Sequence, residues 1–173
     1  WQALPSPWWP EYVEHGGTAM TPTAFLPVPH PRHLILSATA MERIAASDPD
    51  GALKAVTEIQ NVFGDPGLLE SMVMWADAAG AFAWPETPRG DPVPLHYQYV
   101  DTKEDVPADD VPYGQRWAGR WIAARKADDR DTAQALIDSA AADDMLDDCI
   151  AAVLYVAAHT VDGALDEIIG ETE

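Results

Sequence analysis

The sequence predicts an all-α protein: a helical bundle of about six to seven helices, with an extended Pro/Trp-rich N-terminal arm and a long Pro-rich central loop. Apolar residues recur at helical spacing over most of residues 37–83 and 113–173, whereas prolines cluster in the two remaining regions. The chain has 173 residues, of which 47% are hydrophobic, so it can bury a core. We therefore expect a single helical domain over residues 37–173.

Residues 1–36 are expected to form the arm. They hold seven of the 15 prolines and three of the seven tryptophans. Proline fixes φ and favours an extended conformation in the residue before it, so we expect no long helix to begin here. Two interpretations stay open: the arm packs back onto its own domain, or it docks onto another subunit or a partner.

Residues 37–83 are expected to form a first helical unit, with helices over residues 41–47, 52–63 and 65–82. Asp48-Pro49-Asp50-Gly51 ends the first helix, and Gly64 ends the second. Asp65 can cap the third helix with Pro66 at its first position. That third helix has little polar face, which predicts a buried central helix.

Residues 84–112 form the Pro-rich loop, with six prolines. The segment 95–100 within it is either a lone short strand or extended chain. Loops of this length are uncommon inside a compact domain and often serve as binding loops, lids or linkers.

Residues 113–173 are expected to form a second helical unit, with helices over residues 112–126, 130–141, 144–160 and 164–170. A gapless shift of 77 residues places the first helical stretch on the second, for example Ile59 on Leu136. Two explanations stay open: two similar three-helix units, or chance together with a shared helical composition.

The charge balance excludes some classes of partner. The chain has 10 Lys and Arg against 29 Asp and Glu, a net charge of −19. This opposes direct binding to nucleic acid or to an anionic membrane surface. A single cysteine, Cys149, excludes an internal disulfide, and the first residues lack the features of a signal peptide. The longest apolar run, 149–158, is about half of a membrane span. We therefore expect a cytoplasmic protein.

The strongest local feature is an acidic C-terminal segment, since no Lys or Arg follows Arg130. We define the acidic C-terminal face, the candidate partner-binding site, as Asp143, Asp144, Asp147, Asp148, Asp162 and Asp166. Several of these residues are four apart, which costs a few tenths of a kcal/mol per pair on a helix. Asp143 and Asp144 are expected at a helix N-terminus, where the helix dipole favours anions. The face either imitates nucleic acid toward a basic protein or is simply a solvated surface.

The basic residues cluster between the loop and this acidic segment. Arg116, Arg120 and Arg125 lie on one predicted helix. We favour ion pairing with the acidic C-terminal helices, within the chain or across a dimer; the alternative is an anion pocket for phosphate or carboxylate. The five histidines lack the spacing of a metal site, and no catalytic or cofactor-binding motif is found. We expect no metal or cofactor.

Three functions follow as hypotheses. The leading one is a non-enzymatic acidic interaction protein that binds a basic protein partner, and its most specific form is a nucleic-acid-mimicking inhibitor. The second is a structural protein that assembles as a homo-oligomer through its N-terminal arm. The third is an enzyme of unknown class with a site between the central loop, the arm and the basic helix, where His96, Tyr97, Arg116 or Arg120 would act.

Overall fold

The computed structural model describes residues 29–98 and 104–170, with the side chains of 167–170 left out. These residues form five α-helices: α1 (Pro31–Ala45), α2 (Pro49–Ala83), α3 (Tyr113–Lys126), α4 (Arg130–Ala142) and α5 (Leu146–Gly170). A 3-10 turn covers Ala108–Asp110. The mostly helical, all-α class is confirmed. The six to seven helices and the Pro-rich arm are not confirmed, and residues 1–28 of that arm lie outside the described chain.

Helix α1 begins within the segment that the sequence assigned to the arm. Its first residue is Pro31, ten residues before the predicted start at Met41. Proline is tolerated at the first helical position because its missing N–H would have no helical partner there. The His30 side chain caps the helix by accepting a hydrogen bond from Arg32 N at 3.2 Å. The expectation of extended chain over residues 31–36 is therefore wrong.

Helix α2 joins two predicted helices across a break. Gly64 has φ 69° and ψ −169°, which is non-helical and lies in a region open mainly to glycine. Pro66 follows two residues later, where it can begin a helical turn but cannot donate a backbone hydrogen bond. The predicted boundary is therefore visible as a kink within one longer element.

Helix α5 likewise joins the two predicted helices 144–160 and 164–170. It begins at Leu146 and passes through Gly163 without interruption. A glycine inside a helix costs about 1 kcal/mol relative to alanine, which is too little to end a helix that is packed along its length. The described part of the chain therefore has fewer and longer helices than predicted.

Three tight turns join the helices. Each places one non-glycine residue at positive φ: Ser47 (56°), Asp128 (51°) and Asp144 (56°). In each turn, the N–H of the residue after the positive-φ position donates a hydrogen bond to the carbonyl oxygen five residues earlier. The three pairs are Asp48 to Arg43 O, Asp129 to Ala124 O and Met145 to Ala140 O. This is the Schellman arrangement, which satisfies the last carbonyls of a helix.

The core lies between α2, α3 and α5, with α1 and α4 packed on them. Its largest buried side chains include Trp75 and Trp121. The rings of Trp117 and Trp121 stack at 6.1 Å between centroids, and the Trp117 indole donates to Leu136 O at 3.0 Å. These contacts fix the orientation of α3 and of the arginines that it carries.

The central loop packs against α3 by backbone and side-chain contacts. Residues 92–97 form no regular element, and Gln98 makes an isolated antiparallel bridge to Asp105. Val106 N donates to Tyr97 O at 2.7 Å. The described part of segment 95–100 contains one isolated bridge and no strand, so of the two open alternatives the lone strand is not found there.

By length and composition, one helix of the described chain could cross a membrane: α5 over Leu146–Asp166, with mean hydropathy 1.3. The core helix of a soluble protein passes the same test. Helix α5 packs against α1, α2 and α3, and Cys149, Val153 and Ala157 on it are fully buried.

Candidate functional site

Asp143 and Asp144 lie in the turn between the C-terminus of α4 and the N-terminus of α5, and not within the first turn of a helix as predicted. Asp143 is the C-cap of α4, and Asp144 follows it at positive φ. Helix α5 begins at Leu146, two residues later than predicted, because Asp144 is part of the Schellman turn that ends α4. The partial negative charge of the α4 C-terminus disfavours both carboxylates, and the partial positive charge of the nearby α5 N-terminus offsets part of that effect.

The other four members of the acidic C-terminal face lie on α5. Asp147 and Asp148 occupy its first turn, where the helix dipole favours anions. Asp162 and Asp166 are four residues apart nearer its end, so this predicted pair does share a helix face. All six carboxylate-bearing residues of the face are exposed.

The acidic C-terminal face has no counter-charge among the described residues. None of its six carboxylates forms a hydrogen bond or an ion pair with another residue in the described part of the chain. The nearest cation in sequence, Arg130, has its Nε 3.6 Å from Asp128 Oδ1. Among the residues that the structure describes, none therefore neutralises the charge of the face.

Two neighbouring pairs of carboxylates in the acidic C-terminal face are expected to differ in how their replacement affects stability. Asp143→Asn with Asp144→Asn removes two anions from a helix C-terminus, whereas Asp147→Asn with Asp148→Asn removes two from a helix N-terminus. Since both variants change the net charge equally, we expect the first to be more stable than the second by about 1 kcal/mol. Urea denaturation at low salt measures the difference. Equal stability, or the reverse order, would contradict this placement of the carboxylates.

Among the ion pairs of the described residues, Arg125 pairs with Asp77 on α2 and not with the acidic C-terminal helices, which was the favoured interpretation. Its guanidinium makes a bidentate contact with Asp77 on α2, with Nε 3.1 Å from Oδ1 and Nη2 2.9 Å from both oxygens. Arg125 is only 8% exposed, and its guanidinium lies 5.7 Å from the centroid of the Trp121 ring. It is therefore part of the core contact between α2 and α3.

Arg116 and Arg120 lie elsewhere, at a cleft between α3 and the central loop. The cleft has a volume of about 440 Å³, and its lining includes His96, Tyr97 and Asp105 as well as the two arginines. Arg116 donates to Ala108 O at 3.3 Å and lies 3.6 Å from Asp109. Arg120 is exposed and has no hydrogen bond or ion pair with the described residues. The four residues of the hypothetical enzyme site, His96, Tyr97, Arg116 and Arg120, thus line the same cleft.

Tyr97 lines both this cleft and a second one. Its hydroxyl donates to Arg116 O at 3.3 Å, and its ring lies on Gly119, where a Cβ atom would come within 3.1 Å of it. Burial raises the pKa of the Tyr97 hydroxyl, and the charges of Arg120 and Arg116 partly oppose that rise. The second cavity has a volume of about 260 Å³ and is lined by Trp84, Tyr155 and His159 among others.

A buried polar network joins α1 and α2, and the sequence pattern did not indicate it. His33 Nε2 lies 2.7 Å from Ser71 Oγ and 2.8 Å from Gly67 O, and His33 Nδ1 lies 3.3 Å from Glu70. This order of groups resembles a serine–histidine–carboxylate triad. However, Ser71 is 0% exposed and its hydroxyl already donates to Gly67 O, so a substrate cannot reach it. The network therefore holds two helices together.

Within the described ranges, no three His, Cys, Asp or Glu side chains cluster closely enough to hold a metal ion. Cys149 is fully buried, and burial, together with the neighbouring Asp148 charge, raises the pKa of its thiol. A raised thiol pKa disfavours the nucleophilic thiolate. Cys149 therefore acts as a small core residue.

Compared with known proteins, the chain matches no protein-family model, no curated protein and no solved structure.

Proposed function

We propose that the protein is a non-enzymatic interaction protein whose acidic C-terminal face binds a basic protein partner. The observation that carries this proposal is the absence of any ion pair between that face and the described residues. The two best-paired arginines of the basic cluster contact Asp77 and Asp109 instead. A partner with Lys and Arg side chains would supply the missing counter-charge and gain from electrostatic steering.

The spacing of the carboxylates on α5 indicates how the basic side chains of a partner would be arranged. Asp148 and Asp162 are 14 residues apart, which is about four helical turns and about 21 Å along the axis. A complementary surface would therefore carry two basic patches at about this separation. A groove that binds nucleic acid has basic residues spread over such a distance because it contacts successive phosphates. A nucleic-acid-mimicking inhibitor is accordingly the most specific form of the proposal.

The proposal is tested by comparative capture from an extract of the native host. The bait variant carries Asn at Asp143, Asp144, Asp147 and Asp148. The control carries amides at Glu42, Asp50, Glu86 and Asp91, which are exposed and have no hydrogen bond or ion pair through their side chains among the described residues. Both variants change the net charge by the same amount. We expect a partner that the wild type and the control capture and that the face variant loses at least tenfold, since several charge pairs would be removed.

The captured partner then distinguishes the forms of the proposal. A DNA- or RNA-binding protein that nucleic acid displaces from the complex supports mimicry. A basic partner that nucleic acid does not displace supports the general interaction role only. Equal loss of capture by the face variant and the control would show that net charge alone is responsible, and would contradict a specific face.

The enzyme hypothesis is supported by one observation, the convergence of His96, Tyr97, Arg116 and Arg120 on the 440 Å³ cleft. Assembly through the arm remains a prediction, because residues 1–28 lie outside the described chain.

We also propose that the chain consists of two similar three-helix units. The buried residues Ala52, Ala55 and Ile59 of α2 have the same spacing as Ala133, Leu136 and Ala140 of α4, with an offset of 81 residues. The turns before these segments share their hydrogen bonds at the same offset. This differs from the predicted offset of 77 by four residues, or about one helical turn.

A further inference from the structure

We propose that the cleft between α3 and the central loop binds a small organic anion, with its phosphate or carboxylate group held by Arg116 and Arg120. The cleft is distinct from the acidic C-terminal face, so this inference does not rest on the interaction function. Its volume of about 440 Å³ lies in the range of roughly 300 to 1,000 Å³ that is typical of small-molecule sites.

The positions of the two arginines favour binding of an external anion over ion pairing with a carboxylate of the chain itself. They are four residues apart on α3 and both line the cleft, so their like charges repel each other. Arg116 has only a partial counter-charge, since Asp109 is 3.6 Å away and fully exposed. Arg120 has no ion pair with the described residues. A bound oxyanion would relieve this repulsion, and the guanidinium fork suits bidentate binding of phosphate or carboxylate.

The cleft is also held in shape before a ligand binds. The Arg116 guanidinium is fixed by Ala108 O, and the Tyr97 hydroxyl is fixed by Arg116 O. The buried Trp117 and Trp121 hold α3 in the core, so the exposed arginines are carried on a rigid element. Groups that are ordered in advance lose less conformational entropy on binding.

The rest of the lining indicates what else the ligand would carry. Leu95 and Val106 offer apolar contact, whereas Asp105 and His96 can hydrogen-bond to hydroxyl or amine groups. The Asp105 carboxylate is acceptor-only when ionised, so it opposes a second anionic group at that end. The cleft therefore suits a molecule with one oxyanion group on a partly apolar body.

The test is an NMR and calorimetric titration of the full chain with phenyl phosphate, benzoate and inorganic phosphate. We expect saturable binding of at least one of the two organic anions below about 1 mM, and weaker binding of inorganic phosphate because it lacks the apolar body. The two organic probes distinguish a phosphate ligand from a carboxylate ligand. Arg120→Gln should weaken binding at least tenfold, with unchanged thermal unfolding because this side chain is exposed.

Lys54→Gln is the matched control, since Lys54 is an exposed cation on α2 with no hydrogen bond or ion pair in the described chain. It should leave the affinity unchanged. The proposal would be overturned if none of the probes binds saturably up to about 10 mM. It would also be overturned if Lys54→Gln weakens binding as much as Arg120→Gln does.

Discussion

Replacing Asp77 by Ala is expected to lower the free energy of unfolding by about 2 kcal/mol, less than for a fully buried ion pair because the Asp77 side chain is 37% exposed. The change leaves the Arg125 guanidinium, which is 8% exposed, without its bidentate carboxylate. A buried charge that loses its main counter-charge retains most of the cost of its desolvation. Chemical denaturation of the wild type and the variant measures the loss.

Two further variants test whether the loss of stability comes from the Asp77–Arg125 pair. Arg89 Nη1 lies 3.9 Å from the same Asp77 carboxylate but is mostly exposed, so Arg89→Gln should cost less than about 0.5 kcal/mol. The double variant Asp77→Leu with Arg125→Met removes both charges and should recover most of the stability. If Asp77→Ala costs no more than Arg89→Gln, the pair does not stabilise the α2–α3 contact.

Replacing His33 by Ala is expected to lower the free energy of unfolding by about 3 kcal/mol. His33 is 1% exposed, its ring packs 4.8 Å from Phe63 between centroids, and it hydrogen-bonds to Gly67 O and Ser71 Oγ. The variant loses the buried ring and leaves polar groups between α1 and α2 without a partner. Thermal and urea unfolding both report the effect.

His96→Ala is the control for this variant, because His96 is exposed and forms no hydrogen bond among the described residues. It should change stability by less than about 0.5 kcal/mol. A loss of similar size in both variants would show that His33 contributes no more than a surface residue. It would also remove the physical basis for the α1–α2 network.

Local chemistry predicted much of the helix pattern. Helical spacing marks the buried faces of α2 and α4, and α4 begins at the predicted residue, Arg130. The structure adds the caps of both helices, the Asp48 and Asp129 side chains, which the sequence analysis did not assign. Local chemistry could not predict whether a single glycine in a helical segment would end the helix. Gly163 does not end α5, because tertiary packing outweighs its small propensity cost.

The polar contacts that join the helices come from residues distant in sequence. Arg125 and Asp77 are 48 residues apart, and His33 and Ser71 are 38 apart, so no periodic pattern relates them. The cluster of arginines suggested a single surface, yet the structure divides it between the core and the cleft. One signal was available for the cleft: His96 and Tyr97 lie in a loop too long for a simple connection.

The central claim is that the acidic C-terminal face finds its counter-charge on a basic partner. Its most direct test is the dissociation constant of the purified complex over a range of NaCl from about 0.05 to about 0.5 M. We expect the wild type and the amide control at positions 42, 50, 86 and 91 to lose affinity steeply with salt. The variant with Asn at Asp143, Asp144, Asp147 and Asp148 should bind weakly with a much shallower salt dependence. A dissociation constant that responds neither to salt nor to these four substitutions would contradict the account.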